Sequence, residues 1–528
     1  MKKWLILLGA MGCFSASAHI GSPNVFFQGN AGAYPVRVVI RPPEVVPGLA
    51  EISVRVESGA TKRVSVLPLF SNAGRNAAPS PDEARLVRGE TNLYTAALWL
   101  MRPGAYSVEV SVEGALGTGS ILVPVNSVAT NTRPMSRAVA VVLLLLGGVL
   151  FLSAVRIVGA IFGEGLTEPG APLAARQRRS RRWAMAASVI IFSLMLYGGK
   201  KWWDYEDQDY RNNLLYRPIP VSARIRSERR ENILKLVIDS SAQRGRWTPL
   251  IPDHGKIMHL FLVEPNLKAF AHLHPVARSR TEFEVPLPPL PAARYQVYAD
   301  ATHEDGFAET LIATAEIPES SAEMKLLWLG QAAEPICSLA AAQMLATNLF
   351  FPPDPDDSWV INSSAIAGSS RSSASATSPA GRTVTLSNGY KMIGNNLDGL
   401  VQNRDVSLRF RLLLPDGTPA RLEPYMGMLG HTILRRVDGS VFAHVHPEGT
   451  FSMAARAFFS RTDRATNLTA SLPSAAADHD SHSVDTGVVT DVTFPYAFPQ
   501  AGQYRLWVQM KSRGEILTGV FDVMVEKN

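Results

Sequence analysis

Two stretches of this chain are the same hairpin. Residues 254–275 read HGKIMHLFLVEPNLKAFAHLHP, and residues 426–447 read MGMLGHTILRRVDGSVFAHVHP. Laid over each other without a gap they share Gly255/Gly427, His259/His431, Phe270/Phe442, Ala271/Ala443, His272/His444, His274/His446 and Pro275/Pro447. Residues two apart on a strand point to the same face about 7 Å apart, so His272 and His274 project together, as do His444 and His446. In the second copy Asp438-Gly439 is a hairpin signal, and a two-residue turn centred there sets His431 opposite His446. The first copy turns through Glu264-Pro265-Asn266-Leu267 with the same count between histidines, which predicts that His259 joins His272 and His274.

Two triads of imidazoles are therefore expected, each able to bind a transition metal when neutral. For a single H-x-H the plainer expectation is a solvated strand face. A third histidine at the same offset in both copies favours the metal. Met258, Met426 and Met428 lie beside the clusters, and thioethers favour copper over zinc or nickel.

The rest of the chain sets these hairpins in a β context. Residues 19–130 alternate apolar and polar in runs such as 36–40, 50–56, 64–67, 106–112 and 120–125, separated by Gly and Pro, which predicts a β-sandwich. Residues 221–318 and 383–528 show the same rhythm. The last region repeats the second, with an insertion near residues 460–489 that contains His479 and His482. Three strands open alike, at Pro103 to Tyr106, Pro291 to Tyr295 and Ala501 to Tyr504, each in the pattern of a tyrosine corner. His303, after the second of these strands, is a candidate fourth ligand. Residues 319–382, Ser/Ala-rich from Ser363 to Ser378, read as a linker holding an inert Cys337. The expected fold class is mainly β: three immunoglobulin-like β-sandwich domains plus a two-helix transmembrane hairpin.

That hairpin comes from two apolar runs, 137–162 and 183–199, joined by a loop over 163–182. The loop carries Arg176, Arg178, Arg179, Arg181 and Arg182, which the positive-inside bias assigns to the cytoplasm. Trp202, Trp203 and Tyr205 follow as an interfacial belt would. Residues 1–18 have Lys2, Lys3, an apolar run and Ala16-Ser17-Ala18, the pattern of a cleaved secretory signal, so the mature chain is expected to begin at His19. A lipidated Cys13 is the competing reading. Both large soluble parts then lie on the periplasmic side of a bacterial inner membrane. The net charge of +6 is accounted for by the arginine segment and carries no nucleic-acid signal. Two cysteines exclude a disulfide framework, and no haem-attachment, P-loop, dinucleotide or nucleophile-elbow motif is present.

A secreted sandwich beginning with His19 resembles the CopC family of periplasmic copper carriers, and membrane-attached sandwiches with His/Met hairpins resemble YtkA-like domains of bacterial envelope proteins. The resemblance implies copper handling, with His19 as a ligand. The expected function is a membrane-anchored periplasmic protein that binds a transition metal, copper before zinc, for carriage, buffering or delivery. It is expected not to be an enzyme. Its expected partners are the metal ion, the lipid bilayer and another envelope metal-handling protein, with no nucleic acid. Two alternatives stand beside this: a copper-dependent oxidative enzyme built on a histidine brace at His19, and an assembly or adhesion module in which the histidines are incidental.

Overall fold

Period-two alternation decides most of the architecture. In Tyr34–Arg41 the residues Val36, Val38 and Ile40 turn inward, and in Gly104–Gly114 Val108, Val110 and Val112 do the same, so strands from two sheets close on one apolar core. The computed structural model describes residues 24–165, 172–228, 231–239, 241, 247–321, 354–361, 381–386, 389–467 and 489–528. Cys13, His19, Cys337, His479 and His482, with the signal-like segment, lie outside the described residues.

The protein is mainly β, in several antiparallel sheets. It divides into two compact units, one made of Met1–Pro43, Pro47–Ser127 and Pro218–Asn528, the other of Glu44–Val46 and Val128–Arg217. In the first unit three pairs of sheets each surround a core. The N-terminal pair has five and four strands, around Val38, Val54, Val66 and Val108. The middle pair has four and six, around Leu236, Leu260, Leu262 and Val297. The C-terminal pair has four and five, around Phe410, Leu434, Phe494 and Leu506. All three expected tyrosine corners form. The Tyr295 hydroxyl donates to the Pro291 carbonyl (3.1 Å), Tyr504 donates to the Gln500 carbonyl (2.7 Å), and the Tyr106 oxygen accepts the Arg102 amide (3.2 Å).

The hairpin registers agree with the expectation. Leu260 pairs with Leu273 and Thr432 with Val445, which sets His259 across from His274 and His431 across from His446. The second turn differs from the two-residue turn expected at Asp438-Gly439. It spans four residues, closed by the Gly439 amide on the Arg436 carbonyl (2.9 Å), with Gly439 at φ 78 and the Arg436 amide on the Val441 carbonyl (2.9 Å). The four-residue loop is centred on the same point as the expected two-residue turn, so the register survives. Two other elements were not foreseen. Inside the stretch read as a linker, Ser358–Val360 is a strand that pairs with the first hairpin, Ser358 opposite His272. After the second hairpin, Met453–Asn467 is a helix.

The second unit holds α1, Arg137–Glu164, and α2, Ala175–Asp209, both long and apolar enough to cross a membrane. They pack through small residues: a Cβ on Gly159 would meet Met185, and one on Gly163 would meet Arg181. Phe151 and Phe192 meet edge to face at 6.0 Å, and Arg181 pairs with Glu164 at 2.7 Å. Most of their apolar side chains are exposed, Leu144 at 76%, which a buried pair of core helices would not show. The arginines expected in a loop are instead helical, because α2 starts at Ala175. The run from Ala175 to Arg182 consists mostly of Ala, Arg and Gln, all good helix formers, and nothing in it breaks the helix.

Candidate metal centre

Each hairpin strand is buried on both faces. In His259–Val263, Leu260 and Leu262 enter the core of the middle β body, while His259, Phe261 and Val263 point the other way and are buried too. In His431–Arg436, Leu434 enters the C-terminal core while His431 and Ile433 face outward from it. The plainer alternative, a solvated face, does not hold, since His259, His272, His274, His431 and His446 are all at most 5% exposed. His444 is half-buried. The reason is that the outward faces of the two repeats cover one another.

Aromatic residues fix that contact reciprocally. Phe270 of the first hairpin stacks on Trp507 at 4.7 Å and 13°, and Phe442 of the second stacks on Tyr298 at 3.9 Å and 7°. Tyr298 lies across from Phe261, and Trp507 across from Ile433, so the two partners occupy equivalent places on the corner strands Ala293–His303 and Gly502–Ser512. The interface is a pseudo-two-fold inside one chain, like the self-complementary surface of a dimer.

The histidines gather at one side of this layer. The ligand atoms of His259, His272 and His274 lie within 4.8 Å of one another, as do those of His431, His444 and His446. The two triads adjoin: ring centroids are 5.4 Å apart for His259 and His444, and 5.8 Å for His272 and His444. All six predicted hairpin ligands are therefore brought together in one chamber rather than in two separate places.

Taking each carbonyl and carboxylate oxygen as an acceptor, and Gln509 Oε1 as the amide atom that faces His272, assigns the proton of each ring. His272 Nδ1–H donates to Gln509 Oε1 (2.8 Å), whose amide nitrogen in turn donates to the Ser358 hydroxyl. His259 Nε2–H donates to the Asp253 carbonyl (3.2 Å). The repeat copies this: His444 Nδ1–H donates to Asp300 Oδ2 (3.2 Å), and His431 Nε2–H to the Tyr425 carbonyl (3.1 Å). Asp300 and Gln509 are equivalent positions, across the ladder from His259 and His431.

A neutral imidazole has one N–H. With those protons spent, His259 Nδ1 and His272 Nε2 face each other at 3.2 Å as two lone pairs, and His431 Nδ1 and His444 Nε2 do so at 3.1 Å. His274 adds to the first pair. Its Nδ1–H donates to Asp357 Oδ1 (2.9 Å), a carboxylate that also accepts the His274 and Asp354 amides, and its Nε2 has no hydrogen-bond partner. Neither ring nitrogen of His446 makes a hydrogen bond of good geometry, and the Phe451 backbone is the polar group beside it. Buried polar atoms are nearly always satisfied, and lone pairs converging without a proton between them are the donor set of a cation.

Burial holds the proton affinities of His259, His272, His431 and His446 well below the ordinary imidazole value, and the surrounding imidazoles push them the same way. Neutral rings at neutral pH are the ligand form. The donor set fits borderline divalent ions and copper, with each triad offering the Nδ1 of His259 or His431, the Nε2 of His272 or His444, and one ring nitrogen of His274 or His446.

Two expected ligands do not join the chamber. His303 gives Nε2 to Glu309 (2.8 Å) and Nδ1 to Thr248 (3.1 Å), so its nitrogens are taken. Met258 packs into the core of the middle β body. Four participants escaped the sequence reading: His254, Asp300, Asp357 and Gln509. His254 was visible as the counterpart of Met426 in the repeat. Asp300 and Gln509 lie on distant strands and Asp357 just ahead of one, and none left a local signal.

Residues 383–527, the C-terminal β body, match a family described as a domain of unknown function (DUF8832). No curated protein sequence matches the chain. Among solved structures, an engineered protein is similar at 15% identity over 19% of this chain and 21% of its own, with a TM-score of 0.15. The dimeric latent PorU of Porphyromonas gingivalis is similar at 6% identity over 96% of this chain and 34% of its own, with a TM-score of 0.14. The chain thus spans about a fifth and a third of their lengths, and scores this low carry no argument about fold or function.

Proposed function

We propose that this is a membrane-anchored, transition-metal-binding protein that holds its ions between two repeated immunoglobulin-like bodies, for buffering or delivery on the periplasmic side of a bacterial inner membrane. One observation carries the reading: twice over, two buried imidazole nitrogens whose protons are committed elsewhere face each other at hydrogen-bond distance. An assembly or adhesion module would have no reason to bury these rings with their lone pairs opposed, because each unsatisfied group costs about 1–3 kcal/mol. Imidazole donors favour copper and zinc over magnesium or calcium, and copper stands above zinc in intrinsic affinity. The burial of the site favours retention over rapid exchange.

The membrane assignment rests on the length and composition of α1 and α2, and the side on the arginines at the start of α2. The resemblance to CopC and YtkA-like proteins supports the same reading, with His19 as a further ligand. The full-length protein, purified in detergent without chelator, should contain copper or zinc and should take two ions per chain in titrations with Cu(I), Cu(II) and Zn(II). Replacing His272, His274, His444 and His446 together by Gln should abolish both. A folded parent chain that takes up none of these ions would overturn the proposal.

A further inference from the structure

The chamber contains a seventh imidazole. His254 belongs to the first hairpin segment, yet its ring lies 4.8 Å from His446 and 5.6 Å from His431, both in the second triad, and 6.1 Å from His259. Its side chain is 6% exposed, and its Nε2 is buried without a hydrogen-bond partner. The ring lies against the Met426 backbone, and its Nε2, which has no hydrogen-bond partner, is 3.7 Å from Asp253 Oδ1.

The backbone holds this residue deliberately. His254 adopts φ 52, a left-handed conformation that non-glycine residues seldom take. The turn is closed by reciprocal bonds between Asp253 and Lys256 (2.9 Å each), and Lys256 is held by Asp354 (2.5 Å) and Asp356 (3.0 Å). Met426 occupies the same place in the second repeat, at φ 50, in a turn closed the same way between Tyr425 and Met428. The backbone is therefore duplicated while the side chain is not.

From this we infer that His254 is a fourth imidazole ligand of the second triad, making the chamber an unequal pair of metal positions: four imidazoles at His254, His431, His444 and His446, three at His259, His272 and His274. The polar surroundings differ in the same sense, since Asp357 buttresses His274 whereas its counterpart His446 lies against the Phe451 backbone with no carboxylate bonded to its ring. A four-imidazole position suits Cu(II) or Zn(II) with a closed shell, and the three-imidazole position keeps room for an exogenous ligand. His254 also makes the second position an inter-body one, bridging the middle and C-terminal β bodies.

This inference rests on the metal-binding reading above. Its test is a stepwise Cu(II) titration of the full-length protein in detergent, read by calorimetry and by the nitrogen hyperfine pattern of the first ion bound. The parent chain should bind two ions in two distinguishable steps, the tighter showing four nitrogens. His254→Met places in this turn the residue its counterpart already carries. It should lose the tighter step, leaving two ions of similar affinity with three-nitrogen spectra, and His254→Gln should do the same. If the parent binds two ions but neither variant alters the steps or the spectra, this inference falls while the metal-binding reading stands. If the parent binds none, both fall.

Discussion

At the scale of single residues, the decisive property is where each proton sits. Six histidines were legible in the sequence because strand periodicity and the repeat act together: His259, His272 and His274 share a face, and so do their counterparts. Their burial was not legible, because alternation shows that a strand has two different faces without saying whether the polar one meets water or a second protein layer. Burial also means that the fold depends on these rings. His272→Ala should leave Gln509 Oε1 without its donor in a closed site, and should destabilise the protein by about 1–3 kcal/mol, read as a lower denaturant midpoint. No loss of stability in that variant would mean the rings are solvated after all.

Protonation works in the same direction. His259, His272, His431 and His446 are held below their ordinary value of 6.5, so in acid the unfolded chain binds protons that the folded chain refuses. Their contribution is complete above 6.5 and declines as pH falls from there toward the folded values. His303 has the opposite sign. Burial lowers its affinity, but the hydrogen bond and charge of Glu309 raise it further, so its contribution is full below 6.5 and fades as pH rises through the raised value. His254 is held below its ordinary value too, chiefly by burial, so with five groups against one the melting temperature of the metal-free protein should fall between about pH 6.5 and 5. A melting temperature that rises over that interval would contradict the burial of the cluster.

At the scale of elements, the short strand Ser358–Val360 matters beyond its length. It joins the first hairpin at the edge of its sheet and brings Asp357 to His274 and Ser358 to Gln509. Three residues inside a polar stretch leave no periodic pattern, which is why the segment read as a linker. Gln509 and Asp300 escaped for a different reason: each is an ordinary polar residue on a corner strand, and only the packing of one repeat on the other turns it toward a histidine. Asp357→Asn should loosen the tautomer and orientation of His274. The affinity of the three-imidazole position should drop about 10–100-fold, with the four-imidazole position unchanged. Equal weakening of both positions in a two-step titration would instead point to a general loss of structure.

At the scale of the whole molecule, the sequence carried the β rhythm, the repeat and the two apolar helices, but not the way the two repeats face each other. That contact depends on Phe270 meeting Trp507 and Phe442 meeting Tyr298, pairs separated by more than a hundred residues along the chain. The apolar runs were legible because an uncharged segment of this length has few other uses, whereas α2 begins earlier than hydropathy suggests because its first turns are arginine-rich. If those arginines face the cytoplasm, a phosphatase fused after Asn528 should be active and one inserted near Ala174 inactive, and the reverse pattern would reject the assignment.

The packing of the two repeats also links metal to stability. The histidines sit in the layer where the middle and C-terminal β bodies meet, and without a cation the opposed lone pairs of His259/His272 and His431/His444 repel each other across about 3 Å. An ion that binds the folded chamber and not the unfolded chain stabilises the fold by RT ln(1 + [L]/Kd), about 2.7 kcal/mol for each position at a free concentration a hundred times its Kd. Chelator treatment should therefore lower the melting temperature of the full-length protein, and adding Cu(II) or Zn(II) should restore it in proportion to the logarithm of free metal. Magnesium and calcium should have no such effect, because nitrogen donors match them poorly. The variant lacking His272, His274, His444 and His446 should show no metal-dependent shift. A shift that persists in that variant would place the stabilising ion elsewhere in the chain.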